Sequence, residues 1–313
     1  MKLRILDVYA GAGGFSLGFK NNILVAIENH PHIVKTYRAN FPEAVLFAED
    51  VKRICGRDIL KTVGRIDIVI GGPPCEPFTS MNPKRMIDPY DRLFTDPQGR
   101  LVLEYIRLVD ELKPAIYVLE NVPEIISESL GSMIKKLFNR IGYEAYFNIL
   151  DAEKYGTPSK RRRVFISNVE IDLSGMEEPP KNVEEALRDL PPPGSLPNHS
   201  IVSIGRVRLS KIKKLKWGQS LYRFRDSRGN VRYNWTRLHP KEIAPTIYGK
   251  VRFVHPYYDR LLTVREQARL MGFPDNHVFY GGVDRQFDQV GEAVPPPLSK
   301  KIAEKIIEKM NEI

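Results

Sequence analysis

The chain has 313 residues, 42% hydrophobic and 27% charged, and no apolar run approaches the ~20 residues of a membrane span, which excludes a helical membrane protein and a disordered polyelectrolyte. Its two cysteines, Cys55 and Cys75, exclude a disulfide framework and a four-cysteine metal site, and the six histidines lack metal-ligand spacing, so no metal is expected. The net charge of +10 falls within residues 201–237, where eleven basic residues accompany one acid, Asp226. Elsewhere basic and acidic residues balance, so a polyanion partner explains the excess better than general solubility does.

Met1-Lys2 leads straight into a strand pattern, so no signal peptide is expected and the cytoplasm is the default location. Strand patterns follow at 4–8, 23–27, 44–47, 66–70, 116–119, 145–150 and 164–167. Helical patterns lie among them at 14–20, 31–40, 101–112 and 130–141. This alternation predicts an α/β fold with a doubly wound, mostly parallel sheet. With no helix between the last two strands, a hairpin and a mixed edge are expected. From Asp172 the texture changes: Pro179-Pro180, Pro191-Pro192-Pro193-Gly194 and Pro197 leave room for one short helix at 183–190. A small, irregular, β-rich lobe is therefore expected to about His255. Helices resume at 264–271 and 298–310, the last with Leu298, Ile302, Ile306 and Ile307 on one stripe that should dock back on the first domain. The expected division is 1–171, 172–255 and 256–313, without an internal repeat.

Chemistry gathers at the ends of the predicted strands. Asp7-Val8-Tyr9-Ala10-Gly11-Ala12-Gly13-Gly14-Phe15 is a glycine-rich turn whose backbone can approach a ligand closely. Glu28 ends the second strand, where a carboxylate accepts from ribose hydroxyls, and Asp50 follows the third, where it can accept from an adenine amine. Nothing resembles a phosphate-binding Walker lysine, so a phosphate-free adenosine such as S-adenosylmethionine fits better than ATP. Cys75 stands past the fourth strand in Gly71-Gly72-Pro73-Pro74-Cys75-Glu76-Pro77-Phe78-Thr79-Ser80, the place of a nucleophile; a structural cysteine would sit inside the apolar run. Cys55 has no motif around it and reads as incidental. Trp217, Tyr222, Phe224, Tyr233 and Trp235 interleave the basic segment, as suits nucleic-acid binding better than a solvated face.

The loop 7–15, Pro73-Pro74-Cys75, Asp96-Pro97-Gln98-Gly99-Arg100-Leu101, Glu120-Asn121-Val122, Arg161-Arg162-Arg163, the stretch 263–275 and Gly291-Glu292-Ala293-Val294 occur in the order of one family. Almost end to end, the chain resembles the cytosine-C5 DNA methyltransferases. The resemblance implies a Rossmann-like catalytic domain, a target-recognition domain at 172–255 and a returning C-terminal segment. It further implies that Cys75 adds to cytosine C6, making C5 nucleophilic, while Glu120 protonates or hydrogen-bonds N3. Arg161 and Arg163 would orient Glu120 and contact the cytosine O2. Because a free thiol near pKa ~8.5 is mostly protonated at neutral pH, Cys75 should need cationic or helix-dipole help.

By the same resemblance, Tyr9, Gly11, Ala12, Gly13, Gly14, Glu28, Asn29, Asp50, Val51, Gly72, Pro74, Leu101, Glu292 and Ala293 would contact S-adenosylmethionine. The partner is double-stranded DNA, from which the cytosine must be extruded. Residues 76–95 read as a mobile loop closing over it, with Lys84, Arg85 and Arg92 offered to phosphates. In the basic lobe Gln219, Arg223, Arg225, Arg228 and Asn230 are candidates for base edges, whereas Lys211, Lys213, Lys214 and Lys216 suit phosphate. Thr246-Ile247 stands where the family has a Thr-Leu or Thr-Ile pair. A monomer suffices, and the sequence leaves open whether a restriction endonuclease accompanies it.

Three residues depart from the family pattern: Glu76 for Gln after the nucleophile, Ser159 for Gln before the paired arginines, and Glu292 for Asn beside the cofactor. None removes Cys75, Glu120 or Arg163, so activity is expected. Two other readings stay open. One is a tRNA methyltransferase of the same fold, against which the missing Cys-Phe-Thr triplet counts; the other is an inactive DNA-binding relic.

Overall fold

The computed structural model describes residues 2–312. Seven strands build the main sheet: β1 (Arg4–Val8), β2 (Ile23–Ile27), β3 (Val45–Phe47), β4 (Ile68–Gly71), β5 (Ile116–Asn121), β6 (Tyr146–Asp151) and β7 (Arg162–Ser167). Their order is β3-β2-β1-β4-β5-β7-β6. All pairings are parallel except those of β7, which runs antiparallel to both β5 and β6. The expected hairpin and mixed edge are therefore present. The central strands are nearly unbroken Val, Ile and Leu because both faces are covered. Along β1, Leu6 and Val8 enter one core while Ile5 enters the other. Strand order reverses between β1 and β4, and a doubly wound sheet binds its ligand outside the carboxyl ends at such a switch.

The helices are α1 (Pro31–Asn40), α2 (Gly56–Val63), α3 (Pro89–Phe94), α4 (Leu101–Leu112), α5 (Glu128–Arg140), α6 (Val183–Leu187), α7 (Arg206–Ile212), α8 (Val264–Leu270), α9 (Val283–Glu292) and α10 (Pro296–Met310). The predicted stripe of α10 does return to the sheet: Leu298, Ile302 and Ile306 are buried in the core that contains Ile5 and Phe19. That docking explains why the helix expected at 14–20 is only a 3-10 turn, Ser16–Phe19. Side chains on Gly14 and Gly18 would collide with Val294 and Ser299, so the segment is shaped by close backbone approach to α10 and the residues before it. A second sheet of three strands, β8 (Ser220–Arg225), β9 (Val231–Arg237) and β10 (Phe253–Val254), lies in the order β10-β9-β8. Its own core is small, centred on Ile212, Val254 and Leu261. Among the described residues no helix is long and apolar enough to cross a membrane.

Candidate active site

Three strand ends converge on Cys75. β4 stops at Gly71, and residues 72–75 turn away past the tip of β5. Asn121, fully buried at the end of β5, donates from Nδ2 to Pro73 O at 3.0 Å and accepts the Val122 amide on Oδ1 at 2.9 Å. This one side chain ties the Pro-Pro-Cys turn to the strand that carries Glu120. The Cys75 carbonyl then accepts from the amides of Phe78 (3.0 Å) and Thr79 (2.9 Å), and Phe78 is fully buried, so the chain beyond the cysteine is anchored.

Glu120 is 7% exposed, and Arg163 comes to it from the neighbouring antiparallel strand. Arg163 Nε lies 3.0 Å from Glu120 Oε1, both side chains being nearly buried. The contact is an ion pair without hydrogen-bond alignment, so Oε1 has no donor within the protein. A donor on a ligand would complete it. Gly72 keeps the other oxygen clear, since a Cβ there would stand 3.1 Å from Oε2.

Part of Cys75 reaches solvent, yet its thiol is enclosed by the turn, and burial pushes its pKa up to about 12. Arg163 pulls it down, Glu76 and Glu120 push it up, and Arg161 pulls it down again. The expected cationic help is present but outweighed. At rest the nucleophile is a thiol, and alkylation of Cys75 in the DNA-free protein should accelerate about tenfold per pH unit from 7 to 10. Mass spectrometry of the Cys75 peptide after iodoacetamide pulses checks this; a plateau near pH 8 would contradict it.

The structure corrects two of the expected arginine roles. Arg161, 2% exposed, does not face Glu120 as a hydrogen-bonding partner. Its Nη1 donates to Ile247 O and Gly291 O, both at 2.9 Å, and its Nη2 to Glu292 O at 3.3 Å. It joins the start of β7, the segment after β9 and the end of α9, while its buried Nε is left without a partner. Arg92, expected to be free for phosphate, is buried in α3 and donates to Met86 O (2.8 Å) and Ile87 O (2.7 Å). The stretch 76–95 is thus partly ordered: Asp88 caps α3 by accepting the Tyr90 amide, Pro89 begins the helix, and Ile87 is left 94% exposed. Arg85 donates to Phe78 O at 3.0 Å, whereas Lys84 is exposed. Ser159 is buried against Met271, in no position to reach a ligand.

On the other side of β4 lies the glycine-rich turn. Tyr9, Gly11 and Gly13 all have positive φ (62°, 55° and 83°), which curls the chain over the end of β1. A side chain on Gly13 would overlap the Phe41 ring, and Gly14 packs under Ala293 and Val294. Tyr9 donates its hydroxyl to Leu101 O at 2.8 Å. Glu28 accepts the amides of Gly11 (3.1 Å, on Oε2) and of Asn29 and His30 (both 2.9 Å, on Oε1). A carboxylate has about four acceptor positions, so one on Oε2 remains. Asp50 caps the turn beginning at Val51 through Oδ1, leaving Oδ2. Asn29 is exposed, and Gly72 and Pro74, just before Cys75, are partly exposed. Glu292 sits exposed at a lip yet crowded: poor hydration, then Glu76 and Asp288, raise its pKa to about 7 against the pull of Arg161.

Some supporting roles are visible only in three dimensions. Asp7 is buried beneath the turn, accepts Ser16 Oγ at 2.6 Å, and is pushed up to about 7 by burial; Ser16 also meets the Tyr37 hydroxyl at 2.7 Å. His277, from the C-terminal segment, places Nε2 2.9 Å from Ala12 O. Burial lowers its pKa to about 4, so it is a neutral ring that donates to that carbonyl. Only its three-dimensional position distinguishes it from the other histidines.

From the end of α7 through the β8–β9 hairpin, Lys211, Lys213, Lys214, Lys216, Gln219, Arg223, Arg225 and Arg228 are all exposed, as is Thr246 in the segment that Arg161 holds. Tyr222, Phe224 and Tyr233 share that exposure. Charge and aromatic surface therefore lie together on the β8–β9 hairpin, beside a cavity of about 540 Å³ lined in part by Gln219, Tyr222, Arg223 and Tyr233. Among the described residues no group of three or more His, Cys, Asp or Glu is placed to hold a metal.

The switch-point crevice, the antiparallel seventh strand and the strand-end cysteine and glutamate define a Rossmann-like methyltransferase fold. Comparison with known proteins agrees. The model of the C-5 cytosine-specific DNA methylases matches residues 3–308. A type II methyltransferase candidate of Methanocaldococcus jannaschii, M.MJ0563P, is 46% identical over 97% of this chain and 99% of its own. The type II methyltransferase M1.HphI of Haemophilus parahaemolyticus is 34% identical over 99% of this chain and 88% of its own. A solved structure of a DNA modification methyltransferase candidate from an E. coli prophage superimposes with a TM-score of 0.79 at 26% identity, over 99% of this chain and 100% of that one. The chain belongs to the C-5 cytosine-specific DNA methylase family, and it is an enzyme of that class.

Proposed function

We propose that the protein transfers a methyl group from S-adenosylmethionine to C5 of a cytosine extruded from a specific duplex DNA sequence, through a temporary bond between Cys75 and C6. The observation that carries this reading is the joint between Asn121 and Pro73, which holds Cys75 beside Glu120 and its Arg163 partner. The crevice suits the cofactor by its donor set: acceptor positions remain on Glu28 and Asp50, and residues 9–15 contain no Lys or Arg for a phosphate. Glu28, Asp50 and the backbone of the glycine turn would hold it, with Leu101 and Ala293 closing the walls. When bound, it supplies a methyl carbon made electrophilic by a sulfonium.

The protein's residues then act on the base. The Cys75 thiol passes its proton by way of water to the Glu120 carboxylate, and the sulfur adds to C6. The displaced ring electrons reach N3, where Glu120 delivers a proton, leaving a neutral enamine whose C5 is nucleophilic. A Glu120 that carries a proton no longer neutralises Arg163, whose positive field then falls on the sulfur. Thiolate formation and readiness to protonate N3 are therefore coupled. After methylation the C5 proton passes to water, the sulfur leaves as thiolate and N3 returns its proton to Glu120, so the ring regains aromaticity and the thiol is restored.

The basic lobe, residues 172–255, serves as the target-recognition domain: its lysines hold phosphate, and Gln219, Arg223, Arg225 and Arg228 face base edges. Lys84 adds a phosphate contact beside the catalytic turn. Bisulfite sequencing of a plasmid incubated with the protein and S-adenosylmethionine tests the reading, since it reports substrate, atom and context together. Protected cytosines in one short sequence are expected, with deproteinised tRNA unmodified. An unprotected plasmid, or methyl groups only in tRNA, would overturn it.

A further inference from the structure

The hairpin that joins β8 and β9 touches the nucleophile's loop. Ser227 N donates to Ser80 O at 2.8 Å, five residues beyond Cys75. Ser80 is buried, with Oγ 3.5 Å from Glu124 Oε1 just past β5. The turn itself is built round Asp226, the lone acid among residues 201–237. The Asp226 carboxylate is fully enclosed. It accepts the amides of Arg228 and Asn230 (both 2.9 Å) and pairs with Arg232 through Nε at 2.9 Å and Nη2 at 2.7 Å. Gly229 N donates to Asp226 O, Asp226 N donates to Asn230 O, and Gly229 has φ 81°. This is a three-residue hairpin loop, a turn closed by a left-handed glycine. An acid buried in an otherwise basic arm fixes shape, and the fixed shape presents one free amide to the catalytic loop.

We propose that this turn is a positioning latch: the Ser227 amide, held in place by Asp226, pins the loop that carries Cys75 to the hairpin that reads DNA. Neither residue touches the base. Through the latch, seating of the hairpin on its target sets the position of the sulfur, so recognition and chemistry share one mechanical link. The inference rests on the function proposed above, although the contact itself is independent of DNA.

Ser227→Pro is the selective test. Proline suits the second position of such a turn, and Asp226 before it lies at a strand end, so the hairpin is kept and only the amide hydrogen is lost. Turnover should fall about tenfold with DNA affinity within about twofold of the parent, the size expected for one lost hydrogen bond. Hydrogen exchange across residues 76–95 of the DNA-free protein should rise. Ser227→Ala retains the amide and should match the parent in both readouts. Asp226→Ala, which loosens the whole turn, should move both in the same direction as Ser227→Pro. Unchanged exchange in Ser227→Pro, or unchanged turnover, would overturn the latch. A parent that methylates nothing would instead sink the proposed function, and the exchange measurement would still decide the contact.

Discussion

Cys75→Ala should show no measurable methyl transfer to duplex DNA while it folds and binds DNA as the parent does. Structurally the change is mild. The cysteine's carbonyl, which anchors Phe78 and Thr79, is retained, and the side chain is only half-buried. A stability loss of about 1 kcal/mol or less is expected, typical of a substitution that breaks no network. Chemically nothing replaces it. Without addition at C6 the ring has no enamine form, and loss of a covalent nucleophile commonly removes a factor of ~10⁴ or more. Tritium transfer from labelled cofactor, set beside a gel-shift affinity and a melting curve, separates the three quantities.

Glu120→Gln should cost about 10²–10⁴ in turnover, the usual reach of a positioned general acid. The amide keeps the size of the carboxyl but delivers no proton to N3. It also leaves Arg163 without its 3.0 Å counter-charge in a nearly buried position, so a destabilisation of about 3 kcal/mol accompanies the loss. A further consequence identifies the mechanism rather than the fold. Glu120 is one of the groups that hold the Cys75 thiol protonated, while Arg163 opposes it. Removing the negative charge should therefore move the alkylation profile of Cys75 to lower pH. A variant that loses turnover but keeps the parent's alkylation profile would show that the two groups are not electrostatically coupled.

Much of this site is written along the chain because its parts lie at strand ends. Ile66 to Ile70 followed by Gly-Gly-Pro-Pro marks the exit of a buried strand, so Cys75 is legible as a residue at the sheet mouth. Glu28, Asp50 and Glu120 are legible for the same reason. The hairpin edge formed by β6 and β7 follows from the missing helix between two apolar runs. Other features depend on distance across the fold. Arg161 and Arg163 look equivalent in Arg161-Arg162-Arg163, and alternation along a strand would even give them the same face, yet Arg161 precedes the first residue of β7 and meets other segments. Arg163 pairs with Glu120, whereas Arg161 serves carbonyls of two distant segments. Arg92 reads as free from the sequence because the Asp88-Pro89 helix start lies inside a stretch rich in Pro, Met and charge, where α3 is only six residues long. The helix expected at 14–20 yielded to α10, nearly 280 residues away, whose Ser299 accepts no substitute for Gly18. His277 has no local pattern, and the contact of the Asp226 turn with Ser80 spans some 147 residues of sequence.

Duplex DNA carrying 5-fluorocytosine at the protected position offers the sharpest single trial, because fluorine cannot leave as a proton does. With S-adenosylmethionine present, the parent protein should give a complex that survives denaturation, and Cys75→Ala should give none. A parent that forms no such complex on a verified target, or an alanine variant that still forms one, would contradict the role given to the sulfur.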